Sequence, residues 1–201
     1  MREQLAGTVV FAHKSLALEY VNREPTAKPT IDLEAPLLMV EEPELPWRMW
    51  DQPDSHWPVT AWPAFEAVKC AEQQSLALTD ELDWRLRHAF FAESRCIALR
   101  HEILACAEAA GLEMARFTHD FDSGVVKGQV IAEAREGWER LQVNGSPTLV
   151  FPNGTQAHGQ ELGLPEMTIS ANRVLAFTPG ARDGIRGSEA LARTLERRLA
   201  G

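Results

Sequence analysis

The sequence predicts an α/β domain in which a small sheet is interrupted by a block of helices. Three observations predict it. A strand-like run, Thr8 to Leu16, stands near the start of the 201 residues. Helical periodicity dominates from about Thr60 to Leu141. The period returns to strand after Gly145-Ser146-Pro147, from Thr148 to about His158. The expected boundaries are 1–58 and 123–201 for the sheet-bearing part and 59–122 for a helical insertion.

In chain order, Met1 to Ala6 reads as the last turn of a helix with Gly7 as its C-cap. The strand Thr8 to Leu16 follows. From Glu19 to Pro58 periodicity is lost. Seven prolines (25, 29, 36, 43, 46, 53 and 58) and three tryptophans (47, 50 and 57) fall there. An irregular stretch of that length is unusual, and its aromatics favour a crossover pinned by tryptophans over a mobile segment. Helices are expected from Thr60 or Ala61 to Gln74, with Pro63 in the first turn. The next runs from Asp80 to Glu93 behind a Thr79 N-cap, with Leu82, Leu86, Ala89 and Phe90 as its apolar face. Further helices run from Cys96 or Ile97 to Ala110, closed by Gly111, and from Glu113 to Phe121. A longer one, capped by Asp122 or Ser123, reaches about Leu141 with Val126, Val130, Ala134 and Trp138 in one stripe. Two short strands flank the turn Pro152-Asn153-Gly154. Residues 159–184 read as irregular, and Ser188 caps a last helix to Leu199 whose final turn carries Arg197 and Arg198.

Composition narrows the function classes. The chain is 45% hydrophobic and 24% charged, with net charge −9. That is the composition of a globular protein large enough to bury a core. Acidic and interspersed charge argues against nucleic acid or an anionic membrane as partner. No apolar run is long enough to span a bilayer, and the start lacks a signal-peptide plan, so a cytoplasmic location is expected. The three cysteines, Cys70, Cys96 and Cys106, form no C-x-x-C and no zinc spacing. No metal is expected.

The most informative stretch is Val143-Asn144-Gly145-Ser146-Pro147-Thr148-Leu149-Val150-Phe151. A polar turn enters a Pro, and the Pro enters an apolar strand, where its missing donor is tolerated. With four other stretches it carries a family resemblance. These are Lys14 to Arg23, Ala64 to Gln74, Leu86 to Arg95 (with Arg87, Ala89, Phe90, Phe91 and Glu93) and Ala109-Ala110-Gly111-Leu112. Their order and spacing resemble the DsbA-like branch of the thioredoxin superfamily, including FrnE-like and glutathione-transferase-kappa-like relatives. The resemblance implies a thioredoxin-like fold with a helical insertion. It also implies a cis-Pro at Pro147, with the backbone of Ser146 pairing to a bound peptide or thiol ligand. The implied activity is thiol–disulfide exchange by a low-pKa thiolate at the start of the first helix. The implied partner is a protein or small-molecule thiol or disulfide. No cofactor is expected beyond glutathione or a similar low-molecular-weight thiol.

The chain departs from that pattern. The family's first strand, its C-x-x-C turn and most of its first helix would precede Gly7. The missing strand is central, so the flanking strands would keep unpaired backbone groups. Either the true start lies further upstream, or this is a degenerate relative whose cleft survives as a binding surface. Dithiol oxidase activity is not expected from these residues. The alternatives are a glutathione-dependent transferase or isomerase of the kappa-like type, or a non-catalytic thioredoxin-like binding module. An unpaired edge also invites pairing with another chain, which makes a dimer one expected arrangement.

Ser146 and Pro147 are the candidate ligand-binding residues. The three cysteines read as core packing, with Cys96 the best reactive thiol of the three. His13 and Lys14 read as surface residues. Trp47, Trp50, Trp57 and Trp62 read as packing the long loop onto the helices, or else as lining a ligand groove. Glu41-Glu42-Pro43-Glu44 reads as a solvated turn.

Overall fold

The structure is a computed structural model that describes residues 9–171, 173–180 and 187–199. The helix end expected at Met1 to Gly7 and the side chain of the expected cap Ser188 lie outside the described residues. The chain forms two compact units. One contains Phe11–Lys28 and Pro46–Gln142, the other Met1–Val10, Pro29–Leu45 and Val143–Gly201.

The first unit is helical. After α1 (Leu18–Asn22) it contains α3 (Trp62–Glu72), α4 (Leu76–Glu93), α5 (Arg100–Ala109), α6 (Met114–Ser123) and α7 (Lys127–Arg135). α7 continues into a π-helical turn, Glu136–Arg140. The core of this unit is built from Ala67, Cys70, Leu82, Leu86, Ile103 and Phe117 among others. Phe117 is fully buried and stacks on Phe121, with ring centroids 5.9 Å apart.

Several boundaries differ from the sequence expectation for local reasons. Ser75, not Thr79, caps α4: its hydroxyl accepts the Leu78 N–H at 3.1 Å, and the buried Thr79 hydroxyl donates to the Ser75 carbonyl inside the helix. α5 starts at Arg100 because Leu99 is still extended. Gly124, in the left-handed region at φ 68, ends α6, so Ser123 closes a helix instead of opening one.

Of the run expected as a strand from Thr8 to Leu16, the described residues, from Val9 on, are part of no sheet; residues 9–17 carry neither helix nor strand. Its exposure still alternates residue by residue, as in an extended chain: Val10, Ala12 and Lys14 are exposed, while Phe11 and His13 are half-buried and Ser15 is buried. Helix side chains take the place of a partner strand here. The Lys69 ammonium donates to the His13 carbonyl at 2.6 Å, and the Ser15 N–H donates to Glu133 Oε2 at 2.9 Å. The Trp138 indole donates to the Ala17 carbonyl at 3.1 Å.

The expected irregular stretch from Glu19 to Pro58 also holds regular structure. α2 spans Lys28–Glu41, through both Pro29 and Pro36. Pro29 sits in the first turn, where no N–H is needed, and Pro36 forgoes one interior bond. A 3₁₀ turn, Asp54–His56, follows.

In the second unit, β1 (Thr148–Val150) and β2 (Gln156–His158) pair antiparallel around the expected turn. The described residues between 159 and 180 are more regular than expected. A 3₁₀ turn, Gly159–Leu162, leads to a second hairpin, β3 (Glu166–Ser170) with β4 (Arg173–Thr178). α8 spans Gly187–Leu199 and packs on the 3₁₀ turn: the Thr194 hydroxyl donates to the Glu161 carbonyl at 2.6 Å. Glu41, expected in a solvated turn, is buried and accepts the Gly180 N–H at 2.9 Å.

Candidate functional site

The turn from Val143 to Thr148 joins a buried anchor to an exposed tip. Val143 is buried, whereas Ser146 and Pro147 are exposed. The Ser146–Pro147 peptide bond is cis. The Thr148 hydroxyl donates to the Gly145 carbonyl at 2.6 Å and closes the turn. The β1–β2 register sets Thr148 opposite His158. That brings His158 Nδ1 to 3.3 Å from the Pro147 carbonyl oxygen, to which it donates in the Nδ1-protonated tautomer. The same ring lies against Gly145, where an added Cβ would stand 3.3 Å from His158 Cε1. The neighbouring carbonyls are therefore engaged, that of Gly145 by Thr148 and that of Pro147 by His158. The N–H and C=O of Ser146 have no hydrogen-bond partner among the described residues, and the residue is exposed.

Neither thiol of the helical core is suited to nucleophilic work. Burial, reinforced by the Asp120 and Glu66 carboxylates, pushes the Cys70 thiol up to about 12. Burial also pushes Cys106 up, against the opposing pull of Arg95. Cys96 is free and half-buried just before α5.

The remaining candidates are structural. Trp50 and Trp57 pack on Phe90 with centroids 5.5 and 5.2 Å away, and Trp47 packs on Phe91 at 4.6 Å. These three tryptophans therefore bind the long connection to α4. Trp62 opens α3, half-buried. His13 is not a plain surface residue: its Nε2 lies 2.5 Å from Asp80 Oδ1. Lys14 is 63% exposed along its side chain and ends on Glu133, 3.1 Å away. No three His, Cys, Asp or Glu side chains converge to hold a metal ion among the described residues. No described helix is long and apolar enough to cross a membrane. An open cleft of about 820 Å³ lies along α8, but Ser146 and Pro147 do not line it.

The feature that sequence reasoning missed is the buried ion pair between Lys69 and Glu133. Lys69 has no exposed side-chain surface, and its ammonium lies 3.0 Å from Glu133 and 2.6 Å from Glu72. Burial alone would raise Glu133. The Ser15 N–H, Lys69 and Lys14 outweigh it and hold the carboxyl below its ordinary range. Two signals were available in the sequence. Lys69 interrupts the apolar run Ala67-Val68-Lys69-Cys70-Ala71, and Glu133 sits beside Ala134 on the stripe of Val126 and Val130.

Compared with known proteins, residues 62–165 match the DSBA-like thioredoxin domain. No curated protein matches the chain.

Proposed function

The chain belongs to the DSBA-like thioredoxin domain family, and from that premise we propose that it is a thiol–disulfide-oxidoreductase-type protein working through the Ser146–Pro147 turn. One observation carries the proposal. Ser146 is exposed and its N–H and C=O have no partner among the described residues, while the carbonyls beside it at Gly145 and Pro147 are already satisfied. A free N–H and C=O on one residue can exchange two hydrogen bonds with a single residue of an extended ligand. The ligand would be a peptide segment or a glutathione-like thiol, whose γ-linked backbone offers the same groups.

In this reading the 201 residues hold the ligand and supply no redox couple. They contain no C-x-x-C, and burial raises two of the three thiols. A thiolate is the species that attacks a disulfide, so dithiol turnover is not expected. The raised thiols favour a binding module over an enzyme using its own cysteine. A glutathione-dependent transferase remains the alternative, since it would activate the ligand's thiol instead. The working location is proposed to be the cytoplasm.

The test is a titration followed at the Ser146 amide by NMR, once with glutathione and once with an unstructured cysteine-free peptide. A shift of the Ser146 amide with either ligand, without catalysed disulfide reduction, is the expected result. Peptide binding favours the module, and glutathione binding alone favours the transferase. Steady turnover in a disulfide-reductase assay, or a Ser146 amide unmoved by both ligands at millimolar concentration, would overturn the proposal.

A further inference from the structure

Residues 46–58 lie over the C-terminal end of α4 and belong wholly to the helical unit. Their regular structure is the 3₁₀ turn Asp54–His56. Trp47 packs on Phe91, while Trp50 and Trp57 pack on Phe90 and on each other, the two indoles 5.0 Å apart between centroids. None of these five rings belongs to the buried core of the unit, which contains Leu82, Ile103 and Phe117. They form a satellite cluster beneath a long connection. Arg48, Met49 and residues 51–56 are exposed.

Polar contacts hold the stretch at a few points. The Arg48 N–H donates to the Phe91 carbonyl at 2.9 Å, the Asp51 N–H to Ser94 Oγ at 3.1 Å and the Trp57 indole to the Thr26 carbonyl at 3.3 Å. Two donors are left over. The indole nitrogens of Trp47 and Trp50 are buried and have no hydrogen-bond partner among the described residues. Each forfeits in the closed arrangement the bond it makes to water in an open one. The prolines at 46, 53 and 58 restrict the open chain and so limit the entropy lost on closing. Aromatic packing closes the stretch, the two indoles oppose it, and the balance is finer than in the core. We propose that residues 46–58 are a strap that opens and recloses as one unit while the helical core stays folded, a gate over the aromatic surface of Phe90 and Phe91.

Opening breaks the contacts above and no contact of the core. It gives both leftover indoles access to water and uncovers Phe90 and Phe91. The clasp is Ser94. This residue ends α4 in the left-handed region, at φ 51, and its buried side chain accepts the Asp51 N–H. Arg48 and Asp51 sit three positions apart on the same strap, so one opening event exposes both amides together.

The test is native-state amide hydrogen exchange at several low urea concentrations. The reference amides are those of Ile103 and Phe117, which bond to the Leu99 and Glu113 carbonyls within the core. The Arg48 and Asp51 amides should be protected to the same degree as each other, yet exchange at least about 100-fold faster than the references. Their rates should not change with urea below the unfolding transition, because opening exposes little surface. Ser94→Ala should speed exchange at Arg48 by about two- to tenfold, the effect of one hydrogen bond, and leave Ile103 unchanged. Replacing Trp50 by 3-benzothienylalanine keeps the bicyclic ring without its N–H and should slow exchange at both strap amides. The exchange of the unaltered protein decides the matter if either variant does not fold. Strap amides that exchange only with the core, with its urea dependence, would overturn the proposal. So would strap amides as fast as those of an unstructured chain, an Arg48 amide indifferent to Ser94→Ala, or faster exchange in the benzothienyl variant.

Discussion

Lys69→Met is the most informative single change, because it removes one half of a buried pair and leaves the other half in place. Lys69 is fully buried, and Glu133 has 6% of its side chain exposed. Removing one partner of such a pair costs about 3–5 kcal/mol, because the remaining charge stays desolvated. The His13 carbonyl also loses its donor. Against a typical stability of about 5–15 kcal/mol this is a large fraction. At about 2–4 °C per kcal/mol for a chain of this size, Tm should fall by roughly 6–20 °C. The comparison variant is Glu72→Gln. Glu72 is more exposed, at 22%, and its removal leaves the Glu133 pair intact, so about 1 kcal/mol or less is expected.

The pH dependence sharpens the test. Glu133 is held below its ordinary value of 4.5. Its contribution is therefore complete above that value and is lost as the pH falls through the lower folded value. In Lys69→Met the Ser15 N–H and Lys14 still hold Glu133, but burial, the largest single influence on it, loses its main opposing charge, which moves the carboxyl toward its neutral form. The gap between variant and wild type should therefore be widest near neutrality and narrow below about pH 4.5. Urea unfolding at pH 7 and pH 4 measures both. A loss under about 1 kcal/mol, or a gap that does not change with pH, would refute the reasoning.

Further outcomes follow from other contacts. Gly180→Ala would place a Cβ 2.2 Å from the Gly163 carbonyl oxygen and 2.7 Å from Leu164 C. Backbone must move, so a loss of about 1–3 kcal/mol in thermal unfolding is expected, with the Gly180–Glu41 bond disturbed. Ser75→Ala removes the α4 cap and should cost about 1 kcal/mol by urea unfolding. In a thiol titration of the native protein, Cys96 should react first, while Cys70 and Cys106 react only on unfolding. Equal native rates at all three would contradict the burial described for them.

The helices and the first hairpin were legible because periodicity and turn chemistry agreed, as at the Pro152-Asn153-Gly154 turn. The second hairpin was not. Its turn uses Ala171 in the left-handed region, at φ 48, in place of the expected Asn-Gly signal. α2 was hidden by two prolines that local pattern reads as breakers. The start of α4 turned on Ser75 against Thr79, one helical turn apart, and the end of α6 on Gly124 taking the left-handed region, and tertiary packing decides both. The Ser146–Pro147 turn was legible as a motif. That the carbonyls on either side of Ser146 are engaged while its own N–H and C=O are not was not legible, because one of those contacts depends on His158 arriving from across the hairpin. The ion pair under the extended segment joins positions 64 residues apart along the chain, a distance no local window reaches.

The placement of the aromatic residues makes the two units optically distinct. All six tryptophans and the single tyrosine of the sequence, Tyr20, fall within Phe11–Lys28 and Pro46–Gln142. Intrinsic fluorescence therefore reports on the helical unit, and the unit carrying Ser146 and Pro147 is dark. Backbone circular dichroism sees both. Coincident unfolding curves from the two probes would mean one cooperative transition, whereas a lag between them would give each unit its own stability. A tryptophan introduced at the exposed Leu175 of β4 would add emission from the dark unit, so that ligand binding could be followed on the unit that holds the site.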